Sequence, residues 1–342
     1  MKCFLPRAVR KISLLAQKNF ERKNMRIMEV KAPSLLGLGE AEYPTLKAGE
    51  VLIENHAAAV NRADLMQADG NYPPPPGWPA YPGLEVSGVI ADANGSKRFK
   101  KGDKVCALLG GGGYGEYSAV PEGMVLPVPE GLSMEECAGL PEVWATVHLN
   151  FHHEAGMKKG DVVFIHAAAS GLGLAAVQYA KMLGCKVIAS SGSDEKVRCV
   201  REMGADISLN RKKDNIGEIL DANAPDIVLD CAGGAGMGAN FAKMNFWGRW
   251  IQVAALAGGE STISLDTVFR KRLRLIGSTL RSRTDELKSQ ILSEMQSLLW
   301  EKFSNGELKC NIHAIVPFEK ANDAHGILRR NENTGKVILK IR

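Results

Sequence analysis

Three things are scarce in this 342-residue sequence: paired cysteines, long apolar runs, and surplus charge outside its first residues. The seven cysteines, at 3, 106, 137, 185, 199, 231 and 310, are scattered, and no two form a C-x-x-C pair. That excludes a disulfide framework and a thiolate zinc site, which need clustered thiols, and points to cytosol or mitochondrial matrix. No apolar run approaches the roughly 20 residues that cross a bilayer, so no membrane span is expected. The formal net charge is +5, but residues 1–24 hold seven basic groups and one acid, which leaves −1 for the rest. A nearly neutral body gives no electrostatic footprint for nucleic acid.

The basic leader places Phe4, Ala8, Ile12 and Leu15 on one helical face and is almost free of acids. It reads equally as a mitochondrial targeting segment or as an extension ahead of Met25. From Met25 short β-favouring runs, such as Glu50–Ile53 and Val86–Ile90, alternate with Gly/Pro punctuation. The stretch from Tyr72 to Gly77 contains four consecutive prolines and must be a rigid loop, because each proline fixes φ and lacks a donor. The four glycines Gly110 to Gly113 mark either a turn or a close backbone approach.

After about residue 140 strands and helices alternate. Strands are expected at 161–166, 186–190, near Ile207, at 226–231, 249–253 and 273–278. Helices are expected at 171–183, 194–203 and near 237–246. That rhythm implies a doubly wound parallel sheet. From about Asn311 the chain turns β-like again and ends in Lys336-Val337-Ile338-Leu339-Lys340. The expected organisation is an α/β protein with an extension over 1–24 and a β-rich domain from 25–145 and 311–342. A Rossmann-type domain over 146–310 lies between those two parts.

The segment Ala168-Ala169-Ser170-Gly171-Leu172-Gly173 keeps only the last glycine of a G-x-G-x-x-G pattern, but it follows a buried strand and opens a helix. Backbone N–H groups near Ser170, Gly171 and Leu172 can there face a dinucleotide pyrophosphate, while Gly173 permits close helix–strand packing. NAD binders carry an acid about 20 residues on, at the tip of the next strand. Here that tip reads Ser191-Gly192-Ser193, with Lys196 nearby, and a 2′-phosphate fits among them. NADPH is therefore the expected cofactor, with Asp194 and Glu195 pointing outward. The basic run Arg270-Lys271-Arg272-Leu273-Arg274 alternates with apolar residues and reads as a strand with one solvated face.

Several further segments belong together. They are Asn61-Arg62-Ala63-Asp64-Leu65-Met66-Gln67, the Tyr72–Gly77 loop, Gly83-Leu84-Glu85, Val120-Pro121-Glu122-Gly123, Pro141-Glu142 and Ile165-His166-Ala167. Leu229-Asp230-Cys231, Gly248-Arg249-Trp250 and Leu280-Arg281-Ser282-Arg283 complete the set. With these, the chain from Met25 onward resembles the quinone oxidoreductase branch of the zinc-independent medium-chain dehydrogenase/reductase superfamily. Within that branch it is most similar to the tumour-suppressor-inducible type.

The resemblance implies a GroES-like β-rich catalytic domain beside the Rossmann domain, a homodimer, and reduction of quinones by NADPH. It also implies roles for particular residues. Asn61 would lie near the nicotinamide and substrate, Tyr72 would line the substrate pocket, and Thr146 would sit on the nicotinamide side. The backbone at Val253, Ala254 and Leu256 would hold the carboxamide, Asn331 would approach the cofactor, and Ala169 belongs to the pyrophosphate loop. Arg211 stands where many relatives have a tyrosine against the adenosine, and would stack or bind phosphate there. Zinc-dependent relatives read Gly-His-Glu where this chain has Gly83-Leu84-Glu85, so no metal is expected in the cleft. His148, His152 and His153 have suggestive spacing but no evident carboxylate or thiol partner, and no metal is assigned to them either. The same fold admits two alternatives, a 2-alkenal or enoyl-thioester reductase, and an NADPH-binding interaction or stress protein with little activity. Met66, standing where many relatives have a tyrosine, counts against efficient enolate protonation.

Overall fold

The computed structural model describes residues 24–342, so the amphipathic face of the leader lies outside the described residues. Strands β1 (Asn24–Ala32) and β2 (Leu35–Glu42) pair as an antiparallel ribbon. Next come β3 (Glu50–Val60), α1 (Arg62–Ala68), β4 (Glu85–Asp92), β5 (Lys104–Leu108), β6 (Tyr117–Pro121) and β7 (Val125–Pro127). Helices α2 (Met134–Ala138) and α3 (Pro141–His148) follow, and α3 runs on into a π-helical turn, Leu149–Glu154.

The alternating half then begins with β8 (Val162–Ile165), α4 (Gly171–Met182), β9 (Lys186–Ser191), α5 (Asp194–Glu202), β10 (Ile207–Asn210) and α6 (Ile216–Ala222). It continues with β11 (Ile227–Asp230), α7 (Met237–Phe241), β12 (Arg249–Gln252), α8 (Leu265–Lys271) and β13 (Arg274–Gly277). A 20-residue helix, α9 (Asp285–Ser304), leads to β14 (Ile312–Pro317), α10 (Ala321–Arg329) and β15 (Lys336–Lys340).

The six alternating strands form one sheet in the order β10-β9-β8-β11-β12-β13, and every pairing is parallel. This is the Rossmann arrangement, and it places a ligand crevice at the carboxyl ends of the strands, where the order reverses about β8. In the other sheet, ordered β14-β15-β3-β4-β5-β7 with β6 also on β3, β15 lies antiparallel to β3. The last strands of the chain thus complete the sheet that begins with β3. No helix among the described residues is long and apolar enough to cross a membrane, and the six described cysteines are free thiols.

Side-chain alternation explains how the parallel sheet is covered on both faces. Val163 and Ile165 pack into a core continuous with Trp144, Tyr179, Leu299 and Val337, which joins the two sheets. Phe164 points the other way, into a second core with Ile188, Val228, Phe241 and Trp250. The Gly110–Gly113 run is a close approach. A Cβ on Gly110 would stand 2.6 Å from Trp78, and one on Gly112 2.7 Å from Pro79, so the proline loop lies directly on these glycines.

Two local readings change. Arg270 and Lys271 end helix α8, Arg272 caps it in the left-handed region at φ 54°, and the strand starts only at Arg274. Cationic side chains are favoured at a helix C-terminus, and Lys271 donates to the Ala242 and Met244 carbonyls, so helix won over alternation. The helix expected to reach 246 stops at Phe241, where the chain turns toward Gly248 and β12.

Gly173 packs closely on the loop between β8 and α4. A Cβ there would lie 2.5 Å from the Ala168 Cα and 2.6 Å from the Ala167 carbonyl oxygen. Gly173→Ala should therefore lower stability by about 1–3 kcal/mol through overpacking. Urea unfolding checks it, and a loss within experimental error would contradict it.

Candidate functional site

The loop after β8 forms a cradle at the N-terminus of α4. Ser170 is the helix cap, and its hydroxyl accepts from the Gly173 N–H at 3.1 Å. Its own N–H donates to the Ala167 carbonyl at 2.9 Å, so Ser170 does not offer the free backbone donor expected of it. The N–H groups of Gly171 and Leu172, in the first helical turn, have no intrahelical acceptor and can receive an anion. Ala169 is buried, and its carbonyl accepts from the Gly335 N–H at 2.9 Å, which stitches the returning chain to the loop.

At the tip of β9 the Ser191 hydroxyl is buried without a hydrogen-bond partner, an orphaned polar atom beside the crevice. The Arg211 guanidinium lies over Gly192, with Nη1 2.8 Å from where a Cβ would stand. Ser193 caps α5. Asp194 is turned away, onto Asn210 and Lys213, and Glu195 is exposed, as the outward reading of both requires. Lys196 Nζ donates to the Asn331 carbonyl at 2.7 Å, and Arg62 Nη2 donates to the Asn331 Oδ1 at 2.8 Å. Asn331 holds a left-handed φ of 54° between these two cations. Arg62 was not singled out from the sequence, although it stands next to Asn61. Val253, Ala254 and Leu256 follow β12 on the same edge. There the Val253 and Leu256 N–H groups bond to Asp230 and Cys231, and the Ala254 carbonyl accepts from Gln252 Nε2.

The second half of the site is a buried polar cluster under α1 and α3. Lys336 Nζ donates to Glu85 Oε1 and to Asn61 Oδ1, each at 2.7 Å, with the Val60 carbonyl at 3.4 Å. Asn61 Nδ2 donates to the same Glu85 oxygen at 3.0 Å, and the Glu142 N–H donates to Glu85 Oε2 at 2.8 Å. Asn61 also caps α1, and Asp64 accepts from its N–H at 2.7 Å and from the Gly83 N–H at 2.9 Å. The residue that caps α1 thus also belongs to the buried cluster. Thr146 donates to Glu142 Oε1 at 3.2 Å.

Burial opposes the Lys336 charge, but Glu85 and Glu142 more than offset it, and its pKa lies above the usual lysine value. Burial raises Asp64 to about 6 and Glu142 to about 7. Neither Lys336 nor Glu142 was proposed as a site residue. A lysine directly before the apolar run Val337–Leu339 of the last strand was the signal that could have found the first.

Tyr72 borders this cluster, and burial raises its phenol pKa, with Glu142 adding to the effect. Arg281 holds it, with the guanidinium carbon 4.7 Å above the ring and Nη1 donating to the Tyr72 carbonyl at 2.9 Å. The same guanidinium binds Gly110 and Gln67, so it also fixes the glycine run and α1. His148, His152 and His153 lie elsewhere, at the end of α3 and on the π turn that follows it, and the structure supplies the partner they lacked in sequence. His148 Nε2 and His153 Nε2 stand 3.1 and 2.7 Å from Glu294 Oε2 of α9.

The family model for the alcohol dehydrogenase GroES-like domain matches residues 47–130, and that for zinc-binding dehydrogenases matches 171–297. A quinone oxidoreductase of Homo sapiens is 31% identical over 325 residues, covering 92% of this chain and 96% of its own. The chain belongs to the quinone oxidoreductase branch of the medium-chain dehydrogenase/reductase superfamily. A quinone oxidoreductase-like protein 2 homologue of Nematostella vectensis is 30% identical, covering 86% of this chain and 82% of its own. Among solved structures, the quinone oxidoreductase of Thermus thermophilus, also solved with NADPH, superposes with a TM-score of 0.79 at 29% identity. That match covers 93% of this chain and 99% of the other. An NAD-dependent alcohol dehydrogenase gives 0.82 at 27% identity, covering 93% and 100%. The fold is thus shared by oxidoreductases of both cofactor types, and the strand tip must discriminate between them.

Glu142 supplies a pH test. An acid whose pKa is higher in the folded state binds more protons folded than unfolded, so its contribution to stability falls as pH rises through the folded value. Between about pH 4.5 and 7, wild type should lose stability relative to Glu142→Gln, as followed by urea unfolding at several pH values. Parallel curves would contradict the buried carboxyl.

Proposed function

We propose that this protein transfers hydride from NADPH to quinones without a metal ion in its cleft. The observation that carries the cofactor choice is the tip of β9, where the Ser191 hydroxyl is unpartnered, Arg211 lies over Gly192, Lys196 and Arg62 meet at Asn331, and Asp194 is turned away. Such a tip suits a 2′-phosphate, and an acid that would select the ribose hydroxyl is missing from it. The Gly171 and Leu172 N–H groups would hold the pyrophosphate, with Val253, Ala254, Leu256 and Thr146 toward the nicotinamide. When bound, NADPH supplies the hydride.

The chain's own residues orient the acceptor and manage charge. Asn61 keeps one amide hydrogen only weakly engaged, 3.5 Å from the Ala59 carbonyl, and Tyr72 presents a phenol; both can donate to a quinone oxygen. Glu142, near half-protonation at neutral pH, can give a proton to the product oxygen, and solvent can do the same. The metal-free reading is supported by the donor set. Leu84 stands before Glu85, and the ammonium of Lys336 occupies the Glu85 carboxylate. A homodimer belongs to the same reading. Its natural seam is the open edge of β13, where Leu275 is half exposed, with Phe246, Trp247 and Phe269 also exposed.

Purified protein should oxidise NADPH with small ortho- or para-quinones faster than with enoyl thioesters or 2-alkenals. Lys196→Ala should lower kcat/KM for NADPH about tenfold and leave NADH little changed, since one charge-assisted bond is lost. Faster turnover of enoyl thioesters would move the substrate to the alternative class. An unchanged NADPH preference would overturn the phosphate assignment, and tight NADPH binding without turnover would favour a binding protein.

A further inference from the structure

The sequence pattern of three histidines becomes a different object once folded. In an α-helix His148 and His152 would share a face and His153 would turn away from it. Here the chain widens to a π turn just after His148. The Ala155 N–H reaches five residues back to the Asn150 carbonyl at 2.9 Å, and Asn150 Nδ2 takes the Thr146 carbonyl at 2.7 Å. With an extra residue in the turn, both His152 and His153 come around to His148. Their ring centroids lie 5.0 and 5.6 Å from that of His148 and 5.1 Å from each other. Such π insertions cost hydrogen-bond quality and cluster at functional sites.

Glu294, which is 146 positions from His148 in sequence, completes the group from α9. One ligand atom from each of the four residues lies within 4.8 Å of the others. Behind them the buried Tyr179 hydroxyl is 2.9 Å from His148 Nδ1, as the outer partner that fixes a metal-bound imidazole would be. Gln290 Nε2 holds the other Glu294 oxygen at 2.8 Å.

We infer that His148, His152, His153 and Glu294 form a site for a divalent transition ion of the zinc class, on the side of the molecule where the π turn meets α9. Three imidazoles and one carboxylate are a four-coordinate nitrogen/oxygen set that suits Zn2+, whereas Mg2+ and Ca2+ demand oxygen cages. A tetrahedron with bonds of about 2.05 Å has edges of roughly 3.3 Å, so the ligand atoms must close by up to about 1.5 Å. His152 and His153 are exposed and can make that adjustment, while His148 is buried and anchored. Metal binding turns the His148–Tyr179 contact so that Nδ1–H donates to the phenol oxygen and the Nε2 lone pair faces the ion. The ion staples the segment after α3 to α9, which makes its role structural. The site shares no residue with the cofactor cradle and does not rest on the proposed reaction.

The test uses the full chain stripped with a chelator and titrated with Zn2+ and with Co2+ as a coloured probe. One equivalent per chain should bind, Co2+ should give tetrahedral visible bands without thiolate charge transfer, and excess Zn2+ should raise Tm by about 5 °C. His152→Ala, which removes an exposed ligand, and Glu294→Gln should each weaken binding about a hundredfold with unchanged far-UV circular dichroism. Tyr179→Phe should weaken it about tenfold. The proposal is overturned by no stoichiometric binding, by affinity that survives both ligand substitutions, or by a thiolate-ligated Co2+ spectrum.

Discussion

The buried ion pair between Lys336 and Glu85 is the constraint on which the rest of the cleft depends. Removing two charges from water costs several kcal/mol each, and their attraction offsets that only when every remaining polar atom is also bonded. Here the condition is met. The three ammonium hydrogens have Glu85, Asn61 and Val60 as acceptors, and both Glu85 oxygens are taken. The pair also joins five elements. Lys336 opens β15, Glu85 opens β4, Asn61 links β3 to α1, and the Glu142 N–H begins α3. The lysine's aliphatic stem lies on Gly171, with Cδ 2.5 Å from where a Cβ would stand, so the same side chain positions the cofactor loop.

From that anchor the two halves of the site follow. On the cofactor side, Gly335 bonds to Ala169 and Asn331 sits between Arg62 and Lys196, so the chain returning into β15 closes over the tip of β9. On the other side Arg281 ties Tyr72, Gln67 and Gly110 together, converting the proline loop and the glycine run into one wall. The result is a set of fixed donors around a crevice, which suits chemistry in which the cofactor brings the reactive group and the protein brings orientation.

Much of this was legible in the sequence because its signals were local. The apolar run before Ser170, the small residues opening α4 and the serine-lined tip each depend on a few adjacent residues, and they fold as their pattern implies. What was not legible is long-range or breaks a period. Lys336 and Glu85 are 251 positions apart, and nothing in either neighbourhood announces the other. Glu294 lies on a long helix that was not anticipated, and the histidine trio was judged by α-helical spacing that the π turn replaces. The basic run at Arg270 failed for a related reason, because two-residue alternation and the basic last turn of a helix look alike over five residues.

A double-mutant cycle across Glu85 and Lys336 measures how strongly the buried pair is coupled, with Glu85→Gln, Lys336→Met and the double variant compared by equilibrium unfolding. Each single variant strands a buried partner and should lose about 3–5 kcal/mol. The double variant should lose far less than their sum, a coupling above about 2 kcal/mol. Losses that simply add, to within about 0.5 kcal/mol, would show that the two groups do not act as a pair and would contradict the account.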